Sequence, residues 1–168
     1  MSNFRTSQPG YFSVYINQVT EKELPLAFTN QSRVIKDFLP SISEEKSMYA
    51  YADGKWTLKE MLQHIIDAER IFAYRALCFA RKEAATLPSF EENDYAAASE
   101  GNRRTWKDLT EEFVAVRKST LFLYESFSPD MLATVGKAGS NSLSVSELGF
   151  TILGHFYHHK RIMEERYL

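Results

Sequence analysis

The chain has 168 residues, which is about the length of one domain and long enough to bury a hydrophobic core. Hydrophobic residues make up 44% and aromatic residues 14% of the sequence, which excludes an intrinsically disordered composition. The net charge of −2 gives no electrostatic basis for binding nucleic acid, and no apolar stretch has the form of a membrane span or a signal peptide.

Four long segments carry apolar residues at helical spacing and none shows a sustained period of two, so the sequence predicts an all-α protein. The first segment runs from about 23 to 39 and ends at Pro40, because proline cannot continue the helical hydrogen-bond ladder. The second runs from 57 to about 82 and the third from about 102 to 127. The fourth begins at 144 and continues almost to residue 168. We therefore expect a single helical domain over residues 1–168, with its core over about 20–168.

Two of the predicted helices begin at capping boxes, in which a threonine or serine and a glutamate three residues later satisfy each other's backbone N–H groups. Thr57 and Glu60 form this pattern at the start of the second helix, and Ser144 and Glu147 form it at the start of the fourth. Between the first two helices, residues 43–46 indicate one extra helical turn.

The connection between the second and third helices, residues 83–101, is long for neighbours in an up-down bundle, where about 2–8 residues suffice. A segment of this length can travel the length of the bundle. We therefore expect helices two and three to run parallel, and helix four to run antiparallel to helix two. The resulting fold is a four-helix bundle with one long crossover between helices two and three.

All four histidines lie in the second and fourth predicted helices. His155 and His159 are about 40° apart around the helix axis, on a face that is otherwise apolar. Two histidines at positions i and i+4 of one helix can bind the same metal ion. His64 lies at the margin of the apolar arc of helix two and should also point inward or into a groove.

The heights of these histidines along their helices coincide if helices two and four are antiparallel. His64 lies roughly 10 Å from the start of its helix, and the pair lies about 10–17 Å from the end of helix four. We therefore predict that His64, His155 and His159 hold a divalent metal ion. The alternative is that all three are ordinary core residues, each with one hydrogen bond.

Two further residues are assigned outside this site. His158 lies about 60° from the apolar stripe and is interpreted as a boundary residue, with a His155/His158 pairing as the alternative. Cys78 is about 21 Å beyond His64 along the helix, so we expect a buried thiol that takes no part. A single cysteine also excludes an internal disulfide and suits a reducing compartment, which favours a cytoplasmic location.

The charged residues of helix two have both structural and functional interpretations. Glu69 lies inside the apolar arc, where an unpaired carboxylate is costly. We expect a structural ion pair with an arginine such as Arg75 or Arg103, with general acid/base work as the alternative. Arg75 shares the stripe of His64 and either binds an anionic substrate or serves as a structural or solvated arginine.

No Ser-His-Asp arrangement, CxxC pair or phosphate-binding glycine loop is present, so the catalytic residues are unknown from sequence. Asp67 and Tyr157 are both candidates to hydrogen-bond the outer nitrogen of a metal-binding histidine, and the sequence does not choose between them.

Two motifs carry a resemblance to a known family. Residues 56–64, followed by Glu69-Arg70 and Arg75, resemble the second-helix signature of the DinB-like superfamily, and residues 154–159 resemble its last-helix signature. The resemblance covers roughly residues 20 to 168. It implies a four-helix bundle of up-down-down-up order and a homodimer. The chain's 12 Phe, 9 Tyr and 2 Trp also favour an apolar surface patch of the kind that marks interfaces.

The resemblance further implies that three histidines bind a metal, typically zinc or nickel, and the matching positions are His64, His155 and His159. Some members of the family transfer low-molecular-weight thiols such as bacillithiol or mycothiol, and these include a maleylpyruvate isomerase. Others are described only as metal-dependent hydrolases or damage-inducible proteins.

The leading hypothesis is therefore a metal-dependent transferase, using a low-molecular-weight thiol, or a hydrolase, acting on a small molecule. A metal held by three imidazoles keeps an open position where water or a thiol can be deprotonated. We expect the connection 83–101 and the loop 136–143 to wall its pocket. The alternative is a non-catalytic binding or stress-response module that uses the metal as a staple.

Overall fold

The structure, a computed structural model, describes Gly10 and residues 12–168. Within that part, the long helices are α2 (Leu24–Phe38), α4 (Leu58–Ala80), α6 (Trp106–Glu125) and α8 (Val145–Arg166). The short helices are α1 (Ser13–Ile16), α3 (Glu44–Ser47), α5 (Glu92–Ala98) and α7 (Pro129–Ala133), and the strands are β1 (Val135–Ala138) and β2 (Asn141–Ser144). The prediction of a fold built on four long helices is confirmed.

The expectations of one domain over residues 1–168 and of no N-terminal signal peptide extend to residues 1–9 and 11, which lie outside the described residues. No helix in the described part combines the length and apolar character needed to cross a membrane.

Contacts along α4 fix the directions of its two neighbours. Arg104 donates to Gln63 at 3.0 Å, and Arg70 pairs with Glu112 at 2.6 Å, so α6 runs parallel to α4. In contrast, Tyr167 at the end of α8 donates to the carbonyl oxygen of Trp56, two residues before α4, at 2.7 Å. α8 is therefore antiparallel to α4, as the length of the 83–101 connection predicts.

The direction of α2 completes the order of the bundle. Gln31 donates to the carbonyl oxygen of Leu153 at 2.7 Å, and the Lys160 ammonium lies 4.7 Å from the centre of the Phe38 ring. Both sequence positions increase together, so α2 runs parallel to α8. The bundle is up-down-down-up, which is the order that the family resemblance implies.

Both predicted capping boxes form. The Thr57 hydroxyl accepts from the Glu60 backbone N–H at 3.1 Å, and the Glu60 carboxylate accepts from the Thr57 N–H at 2.8 Å. Ser144 and Glu147 make the same reciprocal pair at 3.1 and 2.7 Å. The extra turn expected at 43–46 is α3.

The third long helix begins at Trp106, later than the predicted start at 102. Thr105 supplies the cap, because its hydroxyl accepts from the Asp108 backbone N–H at 3.1 Å. Residues 101–103 form a separate 3₁₀ turn instead, entered through Glu100 at a φ of 50°. The hairpin of β1 and β2 is not evident in the sequence either, because four-residue strands are too short to establish an alternating pattern.

Glu69 forms a buried ion pair, as expected, but its partner is Arg117 rather than Arg75 or Arg103. The Arg117 guanidinium donates to both Glu69 oxygens, at 2.9 and 2.8 Å, and the two side chains are at most 5% exposed. Arg117 also donates to Gln31 of α2. The partner lies on α6, so the pairing depends on a contact between helices that the helical pattern alone does not reveal.

Replacing Arg117 with methionine should lower the free energy of unfolding by about 3–5 kcal/mol, because it leaves the Glu69 carboxylate buried and unpaired. Urea unfolding measures the change. Arg70→Met is the matched control, since Arg70 is half exposed and its pair with Glu112 should contribute less than about 1 kcal/mol. Equal losses in the two variants would contradict the assignment.

Candidate metal centre

The three histidines predicted as metal ligands meet between α4 and α8. The Nε2 atoms of His64 and His155 are 3.1 Å apart, and those of His155 and His159 are also 3.1 Å apart. One ring nitrogen of each histidine lies within 4.8 Å of the other two. The separation is well inside the limit of about 8 Å beyond which one ion could not bridge the three residues.

The ends of α4 and α8 set the register that brings these histidines to one level. Tyr167 bonds to the carbonyl of Trp56 at one end of the helix pair. At the other end, Gly136 of β1, in the hairpin that leads into α8, packs so closely on Phe79 of α4 that an added Cβ would lie 2.0 Å from the ring. Within α8, one helical turn separates the two histidines and places both rings toward α4.

The N-terminal segment covers the site, a contribution that the sequence analysis missed. α1 crosses α8 at Gly154, where a Cβ atom would lie 1.9 Å from the Tyr15 carbonyl oxygen. The Tyr15 ring then meets the His155 ring edge-on, with centroids 5.2 Å apart. A helix of four residues carries no measurable periodicity, so only the glycine before His155 hints at this close approach.

Burial controls the protonation of the three imidazoles. His64, His155 and His159 are between 4% and 8% exposed. Burial lowers the pKa of His64 to about 4, and burial together with the neighbouring histidines holds the pKa of both His155 and His159 well below its usual value. All three rings are therefore neutral near pH 7, and neutral imidazole is the form that binds metals.

The donor set fits a divalent metal ion. Two ligands at about 2.0–2.1 Å from a tetrahedral ion lie about 3.3 Å from each other, close to the 3.1 Å separations of the Nε2 atoms. The same 3.1 Å separation also fits an N–H···N hydrogen bond between neutral rings in which one Nε2 carries the proton, so the arrangement is compatible with an ion and does not require one. Imidazole ligands suit zinc, copper, iron and nickel alike, so the geometry does not select among these metals.

Neither Asp67 nor Tyr157, the two candidates for an outer partner, forms a hydrogen bond with His64, His155 or His159. Asp67 instead accepts from the Gln63 side chain at 3.0 Å. The buried Nδ1 atom of His159 has no hydrogen-bond partner among the described residues. The surroundings are instead aromatic, with the Trp56 ring 4.9 Å from the His64 ring.

The remaining predicted residues lie outside the cluster. His158 is partly buried and packs against His159 at a ring distance of 5.1 Å, so its interpretation as a boundary residue is confirmed. Cys78 is only partly buried, and the expectation of a buried thiol is wrong. It lies about 100° around α4 from the buried Phe79, which places it at the margin of the apolar face.

A cavity of about 210 Å³ opens beside His64 and His155. As predicted, its wall includes parts of the 83–101 connection and of the 136–143 loop, and it also includes α1 and α4. A second cavity of about 290 Å³ lies beside His159. The lining residues of the first cavity besides these histidines include Phe12, Phe72, Arg75, Phe90, Glu92 and Asn141.

Comparison with known proteins agrees with the fold described above. Residues 27–163 match the DinB superfamily. None of the curated proteins matches the chain.

Solved structures that share its fold include the following two. YfiT from Bacillus subtilis, described as a probable metal-dependent hydrolase with an unusual four-helix bundle topology, is 12% identical, with a TM-score of 0.68 over 95% of this chain and 89% of that one. A mycothiol-dependent maleylpyruvate isomerase is 13% identical, with a TM-score of 0.65 over 96% of this chain. The present chain spans 62% of the length of that isomerase.

Metal content should depend on His159 and not on its neighbour His158. His159→Ala removes one of three converging ring nitrogens, so it should abolish stoichiometric binding of zinc or nickel, whereas His158→Ala should retain about one ion per chain. Elemental analysis after metal loading and dialysis provides the measurement. Retention of one ion by His159→Ala would exclude this three-histidine site.

Proposed function

The chain belongs to the DinB superfamily, and we propose that it is an enzyme in which His64, His155 and His159 hold a divalent metal ion, zinc or nickel. The observation that carries the proposal is the convergence of three buried ring nitrogens beside a cavity. Among the described residues, no cysteine, aspartate, glutamate or further histidine joins this cluster as a fourth ligand. Three protein ligands leave a coordination position for a reactant, as in catalytic zinc sites.

A divalent ion at this position supplies a nucleophile near neutral pH from water or from a thiol. The protein's own residues supply the rest of the environment. The three imidazoles stay neutral because they are buried, and Phe12, Phe72 and Phe90 form an apolar part of the wall of the adjoining cavity. A cavity of about 210 Å³ suits a small molecule.

We propose a transferase that uses a low-molecular-weight thiol, such as bacillithiol or mycothiol, or a hydrolase. The structural relatives support both activities, because one is described as a probable metal-dependent hydrolase and the other as a mycothiol-dependent isomerase. The same proposal includes a cytoplasmic location and a small-molecule partner rather than nucleic acid or a membrane. The second candidate is a non-catalytic module with a structural metal, which the low exposure of all three histidines favours.

A homodimer is the assembly we propose, with its interface in the groove between α4 and α6. Tyr74 and Leu77 are 58% and 37% exposed there, and the groove of about 610 Å³ is lined mainly by apolar atoms. Small side chains along both helices allow a helix of a second copy to approach closely. These residues are Ala73, Ala115 and Ser119.

Leu77→Glu should convert the dimer to a monomer, because it buries a charge in the proposed interface. Sedimentation velocity at micromolar concentration measures the change. Leu26→Glu is the matched control, since Leu26 is 52% exposed on α2 and lies outside the groove. A wild-type protein that sediments only as a monomer at this concentration would reject the dimer.

Metal-loaded protein should accelerate the reaction of bacillithiol, mycothiol or glutathione with monochlorobimane. His155→Ala should reduce the rate to that of the uncatalysed reaction, because it removes a metal ligand, while His158→Ala should retain the wild-type rate. The fluorescence of the thiol adduct measures each rate. Hydrolysis of p-nitrophenyl acetate without a thiol tests the hydrolase in the same three proteins.

Equal rates for the wild-type protein and His155→Ala in both assays would count against catalysis. The non-catalytic module would then be the better account of a protein that still binds metal.

A further inference from the structure

Arg75 lies in the wall of the cavity beside the three histidines, and the inference drawn from it rests on the proposed metal site. It is eleven residues beyond His64 on α4, so the two side chains are about 20° apart around the helix axis. Arg75 is only 5% exposed and lines the same cavity as His64 and His155.

The guanidinium of Arg75 has no ion-pair partner among the described residues. Its Nη2 atom donates to the Pro88 carbonyl oxygen at 2.7 Å, and its Cζ atom lies 5.8 Å from the ring centres of both Phe72 and Phe90. Burial lowers the pKa of Arg75. A guanidinium has five N–H donors, so most of this group's hydrogen-bonding capacity has no partner among the described residues and remains open to the cavity.

Arg117 is a buried arginine with a structural role, and its partners can be compared with those of Arg75. Its guanidinium is matched by both oxygens of Glu69 and by the side-chain oxygen of Gln31. Arg75 is buried to the same degree but lacks this neutralisation. Because a buried charge is costly unless it is paired, the difference points to an anion that is supplied from outside the chain.

We propose that Arg75 binds the carboxylate of a small anionic substrate whose reacting end lies at the metal. The Pro88 carbonyl and the two phenylalanine rings orient the guanidinium, and its remaining N–H groups match the two oxygens of a carboxylate. The Phe72 ring centre lies 5.8 Å from the Arg75 Cζ atom and 6.0 Å from the His155 ring centre. A molecule of a few carbon atoms can therefore reach from one group to the other.

Glu92, on α5, is the other charged side chain in this wall, and it forms no ion pair with Arg75. Its carboxylate disfavours a second anionic group on the substrate and accepts a hydrogen bond from an N–H or O–H group. The substrate class is therefore a small monocarboxylate, with a hydrogen-bond donor near the carboxylate.

The test uses zinc-loaded protein, with the metal content confirmed by elemental analysis, and a series of ω-mercaptocarboxylates of three to six carbon atoms. Each acid is paired with its amide, which keeps the thiol and the length and removes the charge. Calorimetric titration gives the Kd of each probe. At the best chain length, we expect the acid to bind about tenfold or more tightly than the amide.

Arg75→Met should weaken binding of the acid until its Kd equals that of the amide, and it should leave the Kd of the amide unchanged. Arg75→Lys should retain part of the preference, because it keeps the charge and loses the fork of donors. Arg166→Met is the matched control, since Arg166 is an exposed arginine beside the second cavity. The Arg166→Met variant should bind the acid more tightly than the amide by the same factor as the wild-type protein.

Two results would overturn the inference and leave the proposed function standing. One is equal affinity of acid and amide at every length in the wild-type protein. The other is an equal loss of affinity for acid and amide in Arg75→Met that Arg75→Lys fails to restore. Arg75 would then have only a structural role, through its hydrogen bond to Pro88. Failure of the wild-type protein to take up metal would overturn the proposed function and this inference together.

Discussion

The packing of α8 against α4 decides whether the three histidines meet at all. His64 lies on one helix and His155 and His159 on the other, so a slip of one turn would move them apart by about 5.4 Å. Contacts on both sides of the cluster oppose such a slip. One apolar cluster includes Leu58 and Phe156, and the other includes Phe79 and Leu148. The ligand geometry is thus a consequence of ordinary core packing on either side of it.

Burying a polar or charged group costs free energy, and the buried polar groups of this protein fall into two classes according to how that cost is met. The pair of Glu69 and Arg117, with Gln31, ties α2, α4 and α6 together, and Gln31 extends the connection to the backbone of α8. These groups satisfy one another and hold the bundle in one arrangement. His64, His155 and Arg75 are arranged differently, because all three line a cavity and none forms an ion pair among the described residues. Such groups add little to stability and are positioned to interact with ligands.

The features predicted correctly depend on local pattern, and those missed depend on contacts between distant segments. Periodicity and two capping boxes located the helices. The height of His64, compared with that of His155 and His159, was enough to place the three histidines together. Arg117 is the partner of Glu69 because of the way the faces of α4 and α6 pack together, and the pattern within one helix does not reveal this packing. The approach of Tyr15 to Gly154 depends on a four-residue helix, which is too short to leave a periodic signal.

The distribution of stabilising contacts bears on whether the metal serves structure or chemistry. Structural zinc is typical of small domains whose cores are too small to hold their elements together. Here the two helices that carry the ligands are already held by apolar clusters on both sides of the site and by a hydrogen bond from Tyr167 to the chain before α4. An ion that links only these two helices adds little to a fold that is already complete. The site lies beside a cavity lined by Arg75, which has no ion-pair partner among the described residues, and this supports the proposal of a catalytic rather than a structural ion.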